Sequence, residues 1–583
     1  MRLMSLVSAL VIGVSATFGV SAQTKSPTPL ISYDIQYHPT IAKNGMVVSQ
    51  EYHASEAGLE ILRAGGNAVD AAVATGFALA VTHPQAGNIG GGGFMMVYLA
   101  EEDKTIAIDY REMAPAAAHR DLFLDANGDV DNALARFSLK SSGVPGTVMG
   151  LTQALEKYGT LPLKQVMQPA IRLARDGFEM TWALQDSLTR YKPRLERDPI
   201  SLKLFYKADG SPYVAGEVFK QPELANALEE IASKGADGFY KGWVADAIVE
   251  KMKTSGGLIT HKDLENYVAK EREPIVGTYR GFKVVTMPPP SSGGIHVVQM
   301  LNVLEGYDMA AEGHNSAGYI HRLTETMKYA YADRSKWLGD PDYFNVPRAA
   351  LTDKNYAAEI RGKIKLDRAT PSTEIAPAPK LPRESHDTTH FSVMDKAGNM
   401  VANTYTLNFT YGNSKSVDKA GFLLNNEMDD FSAKPGVPNA FGLLGGEANA
   451  IEPGKRPLSS MTPTFLFKDG KPLMATGSPG GSRIITTVLQ TILNVMDFGM
   501  NAQAATSVPR FHHQWFPDKI YTEAGFSLDT RRILAKMGHD VSLDPVKGRV
   551  GVLGAEQSVM MTPDGYITGA ADPRRPGSHA AGF

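Results

Sequence analysis

ESHDTTHFSVMDKAGNMVANTYTLN (384–408) reads as two strands folded back on each other. Residues 388–394 and 400–406 are rich in Thr, Val, Phe and Tyr, side chains that fit a pleated, half-buried surface. Between them, Asp395-Lys396-Ala397-Gly398-Asn399 is a turn. A three-residue loop, Lys396–Gly398, puts Gly398 where such hairpins need a positive φ. Pairing Asp395 with Asn399 and counting outward sets Thr388 opposite Thr406. Both hydroxyls then share one face, with β-carbons about 5 Å apart. A bulge would slip the register by one and send the two side chains to opposite faces. Taken alone, two facing threonines are most often ordinary β-branched strand residues.

Immediately upstream, PSTEIAPAPKLPRESHD (371–387) carries four prolines and almost no large apolar side chains. This segment is expected outside the core, as an exposed, flexible linker where a chain can be cut. Farther out, residues 54–64 (ASEAGLEILRA) have a helical pattern that Gly65-Gly66 stops. Asn67 can cap a second helix running through 71–81, too short an apolar run to cross a membrane. Gly87–Gly93, GNIGGGG, fits neither phosphate-binding glycine spacing and reads as a close-packed turn into the strand FMMVYLA (94–100). Helical patterns recur over 215–270, with glycine punctuation, and over 317–337. The mixture indicates an α/β or α+β architecture.

The chain has 583 residues, 43% hydrophobic and 21% charged, ordinary values for a globular protein with ample material for a core. A formal charge of −3 gives no electrostatic case for nucleic acid or an anionic membrane. With no cysteine, disulfides, thiolate metal sites and cysteine nucleophiles are excluded. Arg2, the apolar run Leu3 to Val20 and the exit Val20-Ser21-Ala22 suit a signal peptide over 1–22, with the mature chain starting near Gln23. The run is also about long enough to span a membrane, so a retained anchor is the alternative.

ESHDTTHFSV (384–393), TYTLN (404–408), NNEMDDF (425–431), KRPLSSMTPT (455–464) and GSPGGSRI (477–484) together resemble the motifs of the γ-glutamyltransferase family. AGNIGGGGF (86–94), DYREMAP (109–115) and VPRFHHQW (508–515) extend the match over essentially the whole chain after the leader. The resemblance implies an α+β, N-terminal-nucleophile hydrolase fold, a four-layer αββα sandwich. It implies that the precursor cuts itself between Asp387 and Thr388. A large chain of 23–387 and a small chain of 388–583 would stay packed as one domain.

The same resemblance implies the site. Thr388 is the nucleophile and Thr406 its hydrogen-bonding partner, in agreement with the hairpin count. Gly480 and Gly481 supply the oxyanion hole. Arg111, Ser459 and Ser460 hold a substrate α-carboxylate; Asp430, supported by Asn408 and Glu427, holds the α-ammonium. Residues 435–446 align with a lid loop, and Phe441 stands where some relatives have a tyrosine that closes the lid by a hydrogen bond, leaving closure to packing. The implied activity is hydrolysis of glutathione and other γ-glutamyl compounds, and transfer to acceptor amino acids or peptides, through acyl-Thr388. No metal and no organic cofactor are expected: adjacent strand residues such as His512 and His513 point opposite ways and read as a packed polar pair. The alternatives are a side-chain acylase of the same fold, which would not need Asp430, and a binding protein without turnover.

Overall fold

The computed structural model describes residues 36–376 and 388–583, apart from 438, 440, 441, 544, 547, 548, 551 and 552. The proposed leader, Asp387 and Phe441 therefore lie outside the described residues.

Two seven-stranded antiparallel sheets form the centre. One runs in the order His579–Gly582, Gly45–Ser49, Thr389–Asp395, Met400–Thr406, Gly92–Leu99, Lys104–Tyr110, Lys270–Arg272. The other runs Thr40–Ala42, Ile567–Ala571, Gln557–Met561, Lys471–Thr476, Thr464–Lys468, Phe282–Thr286, Ile275–Tyr279. Strand alternation sorts their side chains into two cores. Val47, Val97, Val393 and Val401 pack against helices that include Tyr52–Arg63, Ala68–Thr82 and Thr147–Tyr158. Their neighbours Met46, Met96, Met394 and Met400 turn the other way and meet Phe465, Leu466, Met474 and Val559 of the second sheet. Unbranched methionine fills such irregular inter-sheet gaps readily. Helices Gly293–Leu304, Ala317–Trp337 and Arg483–Met496 cover the second sheet. The order is helix, sheet, sheet, helix, the αββα sandwich.

The hairpin takes the predicted register: Thr389 faces Tyr405, and Met394 faces Met400. Gly398 has φ 87°. Asp395 fixes the turn, because one carboxylate oxygen accepts from Ala397 N (2.9 Å) and Asn399 N (3.0 Å). The other accepts Ala68 N at 3.0 Å, at the positive end of the helix Ala68–Thr82. That helix starts where predicted, with Asn67 and Asp70 forming a reciprocal capping box, and is buried along its whole length.

The glycine-rich turn has a steric cause. A β-carbon on Gly91 would lie 2.0 Å from the Thr406 carbonyl oxygen, and one on Gly93 2.4 Å from that of Thr404. Only glycine lets this segment lie so close to the end of the hairpin.

Over the described part of 371–387, Pro371, Thr373 and Glu374 are exposed, as expected, and Ser372 alone is buried. Residues 371–376 are anchored, with Ser372 fully buried. Ser372 Oγ donates to the Trp515 carbonyl (2.7 Å), the Trp515 indole N–H donates to the Ser372 carbonyl (2.9 Å), and Ser372 N donates to Asp518 (2.7 Å). Residues 377–387 lie outside the description. No helix among the described residues is long and apolar enough to cross a membrane.

Candidate active site

Thr388 sits at the first position of the hairpin and is 7% exposed. Its Oγ1 donates to Thr406 Oγ1 over a long 3.4 Å, and Thr406 Oγ1 also accepts Asn408 N–H at 2.8 Å. Asn408 holds this corner with a φ of 74°, and its side-chain amide donates to the Asn426 carbonyl at 2.9 Å. The end of the hairpin is thereby tied to the turn Glu427–Asp430, the one carrying the acidic residues.

Gly480 and Gly481 have φ of 133° and 56° and immediately precede the helix Arg483–Met496. Among the described residues no group accepts a hydrogen bond from either amide. Two unengaged N–H groups at the positive end of a 14-residue helix suit a developing oxyanion. Gly481 lines the same cavity as Thr388.

The charged side chains converge differently from the simple clamp expected. Arg111, 1% exposed, is bonded through one guanidinium nitrogen to Glu427 and through the other to Asp430 Oδ2 at 2.5 Å. Glu112 approaches the same guanidinium at 3.8 Å. Burial works against the Arg111 charge, but Glu427, Asp430 and Glu112 outweigh it and hold it firmly protonated. Burial raises all three acids, Glu427 well above the usual carboxylate range and Glu112 to about 7. Both Glu112 oxygens and Glu427 Oε2 lack a donor among the described residues. Burial favours a proton on this acid pair, which would let one of these oxygens donate to another.

Ser459 and Ser460 close the opposite wall. Met461 N donates to Ser459 Oγ (3.1 Å), and Arg334 donates to Ser460 Oγ (3.2 Å). Thr388, Thr406, Asn408, Glu427, Asp430, Arg111, Ser459, Ser460 and Gly481 thus border one cavity, with Arg334, Leu443, Met461 and Ile484. Its inner space is only ≈ 20 Å³, about enough for one water. The arrangement is charge-complementary to an amino-acid zwitterion, which offers Asp430 an ammonium and Arg111 a carboxylate. Entry requires the Arg111–Asp430 contact to open.

The loop 435–446 reaches this cavity through Leu443. A hydrogen bond also ties it to the site: Asn439 Nδ2 donates to Asp430 Oδ1 at 3.2 Å. Motif comparison passed over Asn439, Glu112 and Arg334. Glu112 directly follows Arg111, so proximity was a usable signal; the other two gave none.

His512 and His513 are buried in separate hydrogen-bond sets, His512 with Thr486 (2.8 Å) and Gln514 (2.8 Å), His513 with Asp518 (3.2 Å). Among the described residues His321, Glu325 and His539 present ligand-type atoms within 4.8 Å of one another. Lys328 already places an ammonium 2.9 Å from Glu325, and the two histidines hydrogen-bond each other at 2.8 Å. The Lys328 ammonium also donates to the Thr370 carbonyl at 2.7 Å, so the group acts as an anchor for the segment before the linker.

A family model for gamma-glutamyltranspeptidase matches residues 54–582. The chain is 52% identical over 566 residues to the glutathione hydrolase proenzyme of Escherichia coli K12, covering 97% of this chain and 96% of the relative. Among solved structures, a cephalosporin acylase from Bacillus halodurans superposes with a TM-score of 0.82 at 28% identity, over 95% of this chain and 99% of that one. A gamma-glutamyltranspeptidase chain from Helicobacter pylori matches at 46% identity and a TM-score of 0.55, over 56% of this chain and 93% of its own.

Proposed function

The chain belongs to the gamma-glutamyltranspeptidase family, and from that premise we propose that it is a self-processing γ-glutamyltransferase and glutathione hydrolase with Thr388 as nucleophile. The observation that carries this is the meeting of Thr388, Thr406, Gly481 and the Arg111–Asp430 pair around one cavity.

A threonine hydroxyl is a poor nucleophile unless a base takes its proton. At a chain N-terminus the α-amine of the same residue can serve. Within an intact precursor that nitrogen is an amide and cannot. Cleavage after Asp387 is therefore activation as well as processing. In that first event the Thr388 hydroxyl attacks the Asp387 carbonyl, the peptide nitrogen leaves as the new amine, and water hydrolyses the ester.

In turnover the freed Thr388 Oγ1 attacks the γ-carbonyl of glutathione or another γ-glutamyl compound. Thr406 helps orient the hydroxyl. The Gly480 and Gly481 amides take the oxyanion, and the amine leaves as it gains a proton. Water then yields glutamate, or an acceptor amino acid or peptide yields a new γ-glutamyl compound. Arg111, Ser459 and Ser460 receive the α-carboxylate; Asp430 receives the α-ammonium, with Asn408 and Glu427 supporting it. The residues 1–22 direct export, so the chains 23–387 and 388–583 act outside the cytoplasm, in a bacterial periplasm.

The test is the intact mass of purified protein and of Thr388→Ala, each incubated with a γ-glutamyl anilide. Two wild-type fragments parting before Thr388, with no aniline release by the variant, are expected. A single uncut wild-type chain that still releases aniline would overturn the mechanism. Faster release from a glutaryl anilide would make the protein an acylase instead.

A further inference from the structure

Arg334 is a buried cation of this site without an acid of its own. It lies on the helix Ala317–Trp337, is 4% exposed, and borders the cavity that holds Thr388. Among the described residues no carboxylate oxygen comes within 4.0 Å of its guanidinium. The buried or nearly buried Arg111, Arg272, Arg456, Arg510 and Arg574 each have one. Arg334 has only hydroxyl partners: Nε donates to Ser292 Oγ at 3.0 Å and Nη2 to Ser460 Oγ at 3.2 Å. Burial pushes its guanidinium down to about 10, whereas Arg111 is raised. Asp430 attracts this charge across a distance without touching it, and a cation kept out of water with no carboxylate in contact favours an anion that enters the cavity beside it.

The hydroxyls say where that anion goes. Ser292 Oγ accepts from Arg334 and donates to the Ser459 carbonyl at 2.8 Å, so it is fully used. Ser460 Oγ accepts from Arg334, and among the described residues nothing accepts its own hydrogen. Ser459 Oγ likewise accepts, from Met461 N at 3.1 Å, and keeps its hydrogen. A hydroxyl whose lone pair is engaged by a guanidinium presents its O–H as a donor. Two O–H donors and one uncompensated guanidinium therefore face the cavity, while Arg111 is already shared between two acids.

Resting on the γ-glutamyl reading above, we propose that Arg334 is a second positioning residue for the donor's α-carboxylate: it turns the Ser460 O–H toward that carboxylate and supplies a positive charge that no carboxylate of the described residues contacts directly. No bond is made or broken by it. Its effect is on binding and on discrimination of carboxylate from an uncharged isostere.

The experiment uses processed wild type, Arg334→Gln, Arg334→Lys, Ser460→Ala and the Arg334→Gln/Ser460→Ala double variant. Each is assayed with a γ-glutamyl anilide and with the same anilide bearing an α-carboxamide. Arg334→Gln is expected to raise KM for the acid about 10- to 100-fold, with kcat changed less than about threefold. The acid-to-amide ratio of kcat/KM should fall by a similar factor. The Ki of L-glutamate as a competitor should rise in parallel, and Arg334→Lys should recover part of the loss. Removing Ser460 should cost less in the double variant than in wild type. An unchanged acid-to-amide ratio, or a fall in kcat alone, would overturn the proposal. Should Arg334→Gln fail to process, judged by mass, the same ratio in Arg334→Lys and Ser460→Ala decides. Failure of the γ-glutamyl reading shows separately, as wild type preferring glutaryl over γ-glutamyl anilide.

Discussion

At the scale of single residues, Asp430 is the side chain on which substrate identity turns. It is half-buried among acids and anchored by Arg111 and Asn439. Asp430→Ala removes the partner for an α-ammonium and leaves Arg111 to Glu427. A charge-assisted hydrogen bond of this kind contributes about 1.5–3 kcal/mol, so KM for a γ-glutamyl anilide should rise roughly 10- to 100-fold, with kcat falling less. An unchanged KM in steady-state assays would remove Asp430 from the ammonium site. Thr388 makes a second prediction. A terminal amine has a pKa of about 7.7–8.0, so the neutral, proton-accepting fraction grows from roughly a tenth or more at pH 7 to most of the population at pH 9. Initial rates at saturating donor should climb across that interval, and a flat profile would rule out the amine as base. The facing of Thr388 and Thr406 was legible from strand chemistry and turn length, but their role was not. Asp430 and Arg111 became legible only through motif resemblance. Arg334 was illegible, because its partners Ser292 and Ser460 lie 42 and 126 residues away in sequence and no local pattern records them.

At the scale of elements, the diglycine is a strand-to-helix junction with a stereochemical requirement. Gly480 at φ 133° occupies backbone space that a side chain resists. Gly480→Ala should rotate the junction and spoil an oxyanion donor, lowering kcat about 10²–10³-fold while leaving KM nearly unchanged. Full activity in this variant would show that the 480–481 amides do not face the reacting carbonyl. The neighbouring elements show why some predictions succeeded. The hairpin register was recoverable because loop length and Gly398 fix it, and Asp395 then locks the turn onto the helix Ala68–Thr82. In the segment 371–376 prolines and polar residues rightly signalled exposure of Pro371, Thr373 and Glu374, but not the anchor at Ser372. What anchors it is a pair of main-chain carbonyls exchanged through Ser372 and Trp515, and these contacts depend on a residue more than a hundred positions downstream.

At the scale of the whole molecule, both sheets contain strands from the two sides of the 387/388 bond. Thr389–Asp395 pairs with Gly45–Ser49, and Thr464–Lys468 pairs with Phe282–Thr286. Cutting that bond leaves every one of these pairings in place, so the two chains have no route to separation short of unfolding. This makes acid sensitivity a property of the shared core. His296, His390 and His539 are buried, and burial pushes each from 6.5 down to about 3; His512 is held well below the ordinary range for the same reason. His390 lies two residues from Thr388, and Gly477 packs so closely that a β-carbon there would fall 2.4 Å from the imidazole ring. In the unfolded chain these imidazoles take up protons below pH 6.5; in the folded protein they stay neutral until about pH 3. At these four sites the unfolded state binds more protons throughout that window, so their share of the stability, complete above pH 6.5, is lost as pH falls; buried Glu112, Glu427 and Glu556, whose carboxyls burial raises, hold protons in the folded state and oppose that loss down to about pH 4.5. Each such histidine removes about 1.4 kcal/mol per pH unit once the pH is well under 6.5. The thermal midpoint should therefore change little between about pH 7 and 5 and fall steeply from about pH 4.5 to 3.5, where those acids are protonated in both states and only the imidazoles still differ. Thr388→Ala should follow the same curve as the processed enzyme, since the histidines and their packing do not depend on the cut. A midpoint constant down to about pH 3.5 would mean that these imidazoles can be protonated inside the fold, and a divergence of the two curves would mean that cleavage remakes the core around His390.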